Sequence, residues 1–139
     1  MQEALPEDGG VCWQKEACGS SREGKVHMAI GFLECAGYGA VLYAMDKACK
    51  AANIRIIGID TINPKDTSAF IPLTVQVKFE GGIDDVKEAC ETAERAALKF
   101  NSPNEVLTEI IENPYEGTKA LSHITKVSLE EKNIINFRR

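Results

Sequence analysis

The sequence predicts an α+β domain of order β-α-β-β-α-β, a mainly antiparallel sheet carrying both helices on one face. Three observations predict it. Val41, Leu42, Met45, Ala48, Cys49 and Ala52 recur at helical spacing. Ile54, Ile56, Ile57 and Ile59 follow with no room for a loop and put apolar side chains on both sides of an extended segment. Ile71, Leu73, Val75, Val77 and Phe79 then alternate with Thr74, Gln76, Lys78 and Glu80. That period of two describes a strand whose apolar side faces helices and whose polar side is wet or covered by a partner.

Residues 1–24 read as a flexible leader, because Gly9-Gly10 and Gly19 to Gly24 interrupt any periodicity. Lys25 to Cys35 is the first strand, with Met28, Ile30 and Phe32 on one side and Ala29, Gly31 and Leu33 on the other. Its small residues let a helix or another backbone approach closely. Gly37 and Gly39 make the turn into the first helix, Tyr38 to Ala52. A Gly-rich turn there can cradle phosphate, but neither G-x-G-x-x-G nor a G-K-S/T ending is present. Lys50 suits the negative end of the helix dipole, and Asn53 tolerates the left-handed geometry that ends helices.

The second strand runs from Ile54 to about Ile62, in a central rather than an edge position. Asn63-Pro64 opens a polar loop, Asn63 to Ala69, longer than a tight hairpin needs. Pro72 sits near the start of the third strand, where a missing N–H is tolerated. Gly81-Gly82 turns the chain into the second helix, with Asp84 and Asp85 in its first turn. Its buried stripe is read as Ile83, Val86, Cys90, Ala93, Ala97 and Phe100, and Asn101 to Asn104 stops it. Glu105 to Glu112 is the fourth strand, Asn113 to Gly117 a turn, and Thr118 to Arg139 a mixed tail with one short amphipathic stretch.

A chain of 139 residues allows one domain plus tails, and 44% apolar residues is ordinary for a globular core. The net charge of −5 argues against broad nucleic-acid binding. No apolar run approaches the ~20 residues of a bilayer span, and the first residues lack a secretory pattern. A cytoplasmic residence with reduced thiols is therefore expected of the five cysteines. Cys12 and Cys18 have five residues between them and no His nearby. They read as free thiols of the leader; a metal or cluster shared with neighbouring chains is the lesser reading. His27 and His123 have no evident Cys or Ser partner, and Asp84/Asp85 and Glu130/Glu131 read as helix-start and solvated charges. No catalysis and no cofactor are expected.

Three blocks resemble the bacterial microcompartment (BMC-domain) shell proteins. Ala29 to Gly37 is similar to that family's opening strand, A-L-G-x-I-E-T-x-G. Ala44 to Ile54 is similar to A-A-D-x-x-x-K-A-A-N-V, with Gly58 fitting a glycine that ends the strand. Glu80 to Ala89 is similar to R-G-D-V-x-A-V-x-A-A. The likeness runs from Met28 to Pro114, dividing the chain into an extension (1–24), a BMC domain (25–114) and a tail (115–139).

The resemblance implies a ferredoxin-like sandwich that forms homo-hexamers and tiles, with other shell proteins, into a microcompartment shell. Lys50 would be the edge lysine packing between hexamers, and Asn53 and Arg55 would lie near subunit borders. Asn63, Pro64, Lys65, Asp66, Thr67 and Ser68 would line a central pore for small metabolites. This chain departs from the family by an insertion of about eight residues there, and the tails offer contacts to encapsulated enzymes. The subset of the family that carries an iron–sulfur cluster at the pore uses a loop cysteine, and none of residues 60–72 is Cys, which argues against that mode here. The alternative is an oligomeric, small-molecule-binding regulatory module of ferredoxin-like fold whose long loop closes over an effector.

Overall fold

The computed structural model describes residues 27–62 and 73–128. Cys12, Cys18 and the segment 63–68 lie outside them. The elements are β1 (Met28–Ala36), α1 (Tyr38–Ala51), β2 (Ile54–Ile62), β3 (Thr74–Gly82), α2 (Ile83–Ala97), β4 (Val106–Glu112), α3 (Glu116–Ser122) and β5 (Val127–Ser128). The strands are ordered β4-β1-β3-β2-β5, and every neighbouring pair is antiparallel. The predicted α+β class and element order hold, with α3 and β5 added beyond them.

The core lies between one sheet face and the paired helices. Ala29, Leu33 and Cys35 of β1, Val75, Val77 and Phe79 of β3, and Ile54, Ile56 and Ile59 of β2 meet Val41 and Met45 of α1 and Val86 and Cys90 of α2. Alanines at 40, 44 and 48 of α1 and 89, 93, 96 and 97 of α2 complete this cluster. Small side chains there let the two helices and the sheet come close. Gly31 is needed for the same reason: a Cβ on it would sit 2.3 Å from the Phe79 ring.

Several helix boundaries differ from the sequence reading. Gly37 takes φ 91 at the start of α1, a backbone angle open to glycine. At the other end the cap is extended Ala52, φ −139, so Asn53 does not supply a left-handed stop; among the described residues Asn113, after β4, is the non-glycine residue with left-handed backbone, φ 49. α2 stops at Ala97 rather than running to Phe100, which is 60% exposed and meets Tyr43 edge-on at 5.1 Å. The Ser102 N–H and hydroxyl both meet Glu105, at 2.9 and 3.0 Å, forming a capping box that turns the chain into β4. The expectation of reduced thiols also fails in part: Cys49 is disulfide-bonded, while Cys35 and Cys90 are free.

The larger correction concerns the second sheet face. Lys78 and Glu80 point away from the helices, as alternation requires, yet each is only 6% exposed. Residues 123–126, between α3 and β5, lie across them as a strap that runs on into Val127. The Lys78 ammonium donates to the Ile124 carbonyl, and the Thr125 hydroxyl donates to the Ile59 carbonyl at 3.1 Å. The strap fits because Gly58 lacks a side chain: a Cβ there would lie 2.5 Å from Thr125 and 2.7 Å from the Val127 carbonyl oxygen. Gly58 therefore does not end β2, which continues to Ile62 past a register shift between Ile56 and Gly58.

Candidate functional site

Of the residues singled out in the sequence, Lys50, Asn53 and Arg55 sit at the junction of α1 and β2. Lys50, in the last turn of α1, projects with its side chain 71% exposed and pairs with Asp46 one turn earlier at 2.8 Å. Such an exposed pair contributes little to stability, so Lys50 remains available to a partner. Asn53 donates its backbone N–H to the Asp85 carboxylate at 3.0 Å. Asp85 thus ties the start of α2 to this corner, a role beyond the dipole effect expected of it. Gly81 lets the corner close, since a Cβ there would meet the Asn53 carbonyl at 3.0 Å.

Arg55 leaves β2 on the second face and grips buried Glu80 through its Nε at 2.9 Å and a second guanidinium N–H. The His123 Nε2 lies 3.7 Å from the other Glu80 oxygen. Arg55 is therefore held in place by its cross-strand partner, opposite it in the β2–β3 register. Lys50, Asn53 and Arg55 sit on one stretch of chain but face different neighbours: solvent, α2 and the strap-covered sheet.

The predicted pore segment begins where β2 ends and returns into β3. Its described flanks are fixed: Ile62 pairs with Thr74, and the Gly37 N–H donates to the Leu73 carbonyl at 2.9 Å. This is the end of the sheet opposite the Ile54–Gly81 pairing beside Asn53. The corner residues and the loop thus occupy opposite ends of β2.

Sequence reasoning missed a charged lattice between them. Asp60 pairs with Lys78 at 2.9 Å and accepts the Lys126 N–H at 2.6 Å. The Lys126 ammonium reaches the Thr61 carbonyl at 2.7 Å. Partial burial alone would raise the Asp60 carboxyl, but the Lys78 hydrogen bond and charge, the Lys126 N–H and the Thr125 hydroxyl outweigh it and hold it below its ordinary range. The signal was present in inverted form: Leu121, Ile124 and Val127 of the tail face solvent while its polar atoms turn inward.

No group of three or more metal-ligating side chains occurs among the described residues. Burial pushes the Cys35 thiol up to about 11 and, with the nearby carboxylates Glu94, Glu109 and Glu91, does the same for Cys90, so neither is a ready nucleophile. Among the described residues no helix is long and apolar enough to cross a membrane.

A family model described as the BMC domain matches residues 29–114, more than half of the chain. The chain belongs to the BMC domain family. Two curated relatives are carboxysome shell proteins CcmK2. That of Synechocystis sp. is 28% identical over 90 residues, 65% of this chain and 80% of the relative. That of Thermosynechococcus vestitus is 27% identical over 90 residues, with the same coverage. A crystal structure of a microcompartment protein from Desulfitobacterium hafniense DCB is similar in fold, with a TM-score of 0.54 at 19% identity. The likeness covers 73% of this chain but 51% of that one, so this chain spans about half of that protein's length. The resemblance to BMC-domain shell proteins carried by Ala29–Gly37, Ala44–Ile54 and Glu80–Ala89 is thereby borne out. The BMC domain match closes at Pro114, so α3, the strap and β5 lie outside it.

Proposed function

We propose that this chain is a non-enzymatic tile of a microcompartment shell, a cyclic homo-hexamer joined to other shell proteins through its rim. Membership of the BMC domain family supports the shell role, and the exposed Lys50 supports the rim assignment: among the described residues its ammonium is engaged by Asp46, itself about half exposed, so docking against a neighbouring tile costs little. Asn53 and Arg55 border adjoining subunits. Asn63, Pro64, Lys65, Asp66, Thr67 and Ser68 surround the central opening. One Lys and one Asp per copy leave that ring nearly neutral, suited to small polar metabolites rather than to strong selection for anions. Of the segments outside the BMC domain, the N-terminal extension 1–24 offers the contact to encapsulated enzymes.

The test is Lys50→Ala. Mass in solution should remain that of the wild-type ring, while electron microscopy should show loss of extended sheets. Sheets of normal extent from the variant would refute the rim assignment. A protein that instead stays below ring size and binds one small metabolite stoichiometrically in a thermal-shift screen would be a ligand-responsive module, not a tile.

A further inference from the structure

The free edge of β4 lies apart from the Lys50 corner, across the sheet from β2. Among the described residues β4 pairs only with β1, so its outer backbone N–H and C=O groups lack a strand partner. A groove of about 300 Å³ runs beside it against α2, lined by Cys90, Glu91, Glu94, Thr108, Glu109 and Ile110. Lys87, the one cation in this lining, is engaged with Glu112 at 2.7 Å. Glu94 accepts only the Thr108 hydroxyl, at 3.5 Å, and Glu91 and Glu109 form no ion pair among the described residues. Among the described residues the edge therefore combines open backbone, apolar surface and negative charge that no cation pairs with.

One segment of this chain has the complementary chemistry. Lys132–Arg139 reads Lys-Asn-Ile-Ile-Asn-Phe-Arg-Arg, three cations and no acid. In extended form Ile135, Phe137 and Arg139 fall on one side and Ile134, Asn136 and Arg138 on the other. β4 presents matching sides: Thr108 and Ile110 toward Glu91 and Glu94, and Leu107, Glu109 and Ile111 on the reverse. Each side offers apolar surface beside carboxylate to apolar side chains beside arginine. We propose that Lys132–Arg139 of a neighbouring copy adds to the β4 edge as a further strand, its arginines against Glu91, Glu94 and Glu109. The donor is a neighbour because this segment follows β5, which lies at the opposite edge, about 19 Å away at four strand spacings. A head-to-tail ring brings unlike edges together, so the proposal rests on the ring assembly.

The test uses the full chain and trypsin cleavage after Lys132, followed by mass spectrometry, with solution mass and circular dichroism recorded on every variant. Cleavage in wild type should be slow, and about tenfold faster in Glu94→Lys/Glu109→Lys, since two lost pairs and two new repulsions together give that factor. Adding Arg138→Glu/Arg139→Glu to that variant should restore protection. So should mixing the groove variant with the arginine variant during refolding, because only exchange between copies then pairs opposite charges. Equal cleavage in all variants with the ring intact would overturn the docking and leave the ring standing. Rescue in the four-residue swap without rescue in the mixture would overturn the neighbour as donor. A wild-type monomer at tens of micromolar would remove the ring and this inference together.

Discussion

Gly58→Ala separates a structural strap from an idle tail. In an otherwise tolerant strand alanine is favoured over glycine by about 0.5–1 kcal/mol, so propensity alone predicts stabilisation. The structure reverses the sign. The new Cβ would stand 2.5 Å from the Thr125 hydroxyl and methyl and 2.7 Å from the Val127 carbonyl oxygen. Thr125 can rotate, but the Val127 oxygen is backbone, so residues 123–127 must retreat by roughly an ångström to reach ordinary contact. That retreat weakens the Thr125–Ile59 bond, the Lys126–Asp60 bond and the Lys78 bond to Ile124, and opens the Gly58–Ser128 pairing. Bonds to charged groups contribute about 1.5–3 kcal/mol each and neutral ones about 1, but water admitted to Lys78 and Asp60 recovers part, leaving a net loss of about 2–3 kcal/mol. With a urea m-value of about 1.5 kcal/mol/M, the midpoint falls by about 1.5 M at fixed protein concentration. Hydrogen exchange should show protection lost over residues 122–128. A midpoint equal to or above wild type, with that protection retained, would refute the reasoning.

Three further outcomes follow from the same contacts. Gly31→Ala forces a methyl to within 2.3 Å of the fully buried Phe79 ring and should cost about 1–3 kcal/mol in chemical denaturation, partly recovered by Phe79→Leu. Among the described residues Arg55→Ala leaves the buried Glu80 carboxylate with His123 as its remaining charged neighbour; a loss of about 1–3 kcal/mol is expected, and Glu80→Gln in the same chain should shrink it in a double-mutant cycle. Asp60, whose carboxyl lies below its ordinary range when folded, stabilises the protein above the unfolded value of about 3.9, and that contribution fades as pH falls through the lower folded value; Asp60→Asn should flatten the acid limb of stability against pH.

The sequence displayed the helix-facing half of this protein well, because burial there is written in periodicity. Val75, Val77 and Phe79 alternate, and all three are buried. Val41, Met45 and Ala48 recur at helical spacing and reach the core, whereas Leu42, included in the same stripe, is 41% exposed. The second face was illegible for the complementary reason. Lys78 and Glu80 are polar, and nothing in a period of two distinguishes a charge in water from one satisfied by Asp60, Arg55 and a carbonyl. The covering segment disguised itself further by turning Leu121 and Ile124 outward. Of the candidate site, the Lys50 projection follows from its helix position, while the Asn53–Asp85 and Arg55–Glu80 contacts depend on register between segments distant in the chain, which no local pattern encodes.

The Gly37–Leu73 hydrogen bond and the Ile62–Thr74 pairing also bear on how this domain accommodates change. Both sides of the β2–β3 connection are clamped by residues that belong to the scaffold, so the scaffold does not register what is spliced between the clamps. Chain entropy rises only slowly with added length, by about 0.6 kcal/mol per doubling. The domain therefore behaves as a socket: inserts of different size or composition can be exchanged at this position, altering whatever the connection does while the surrounding architecture stays the same.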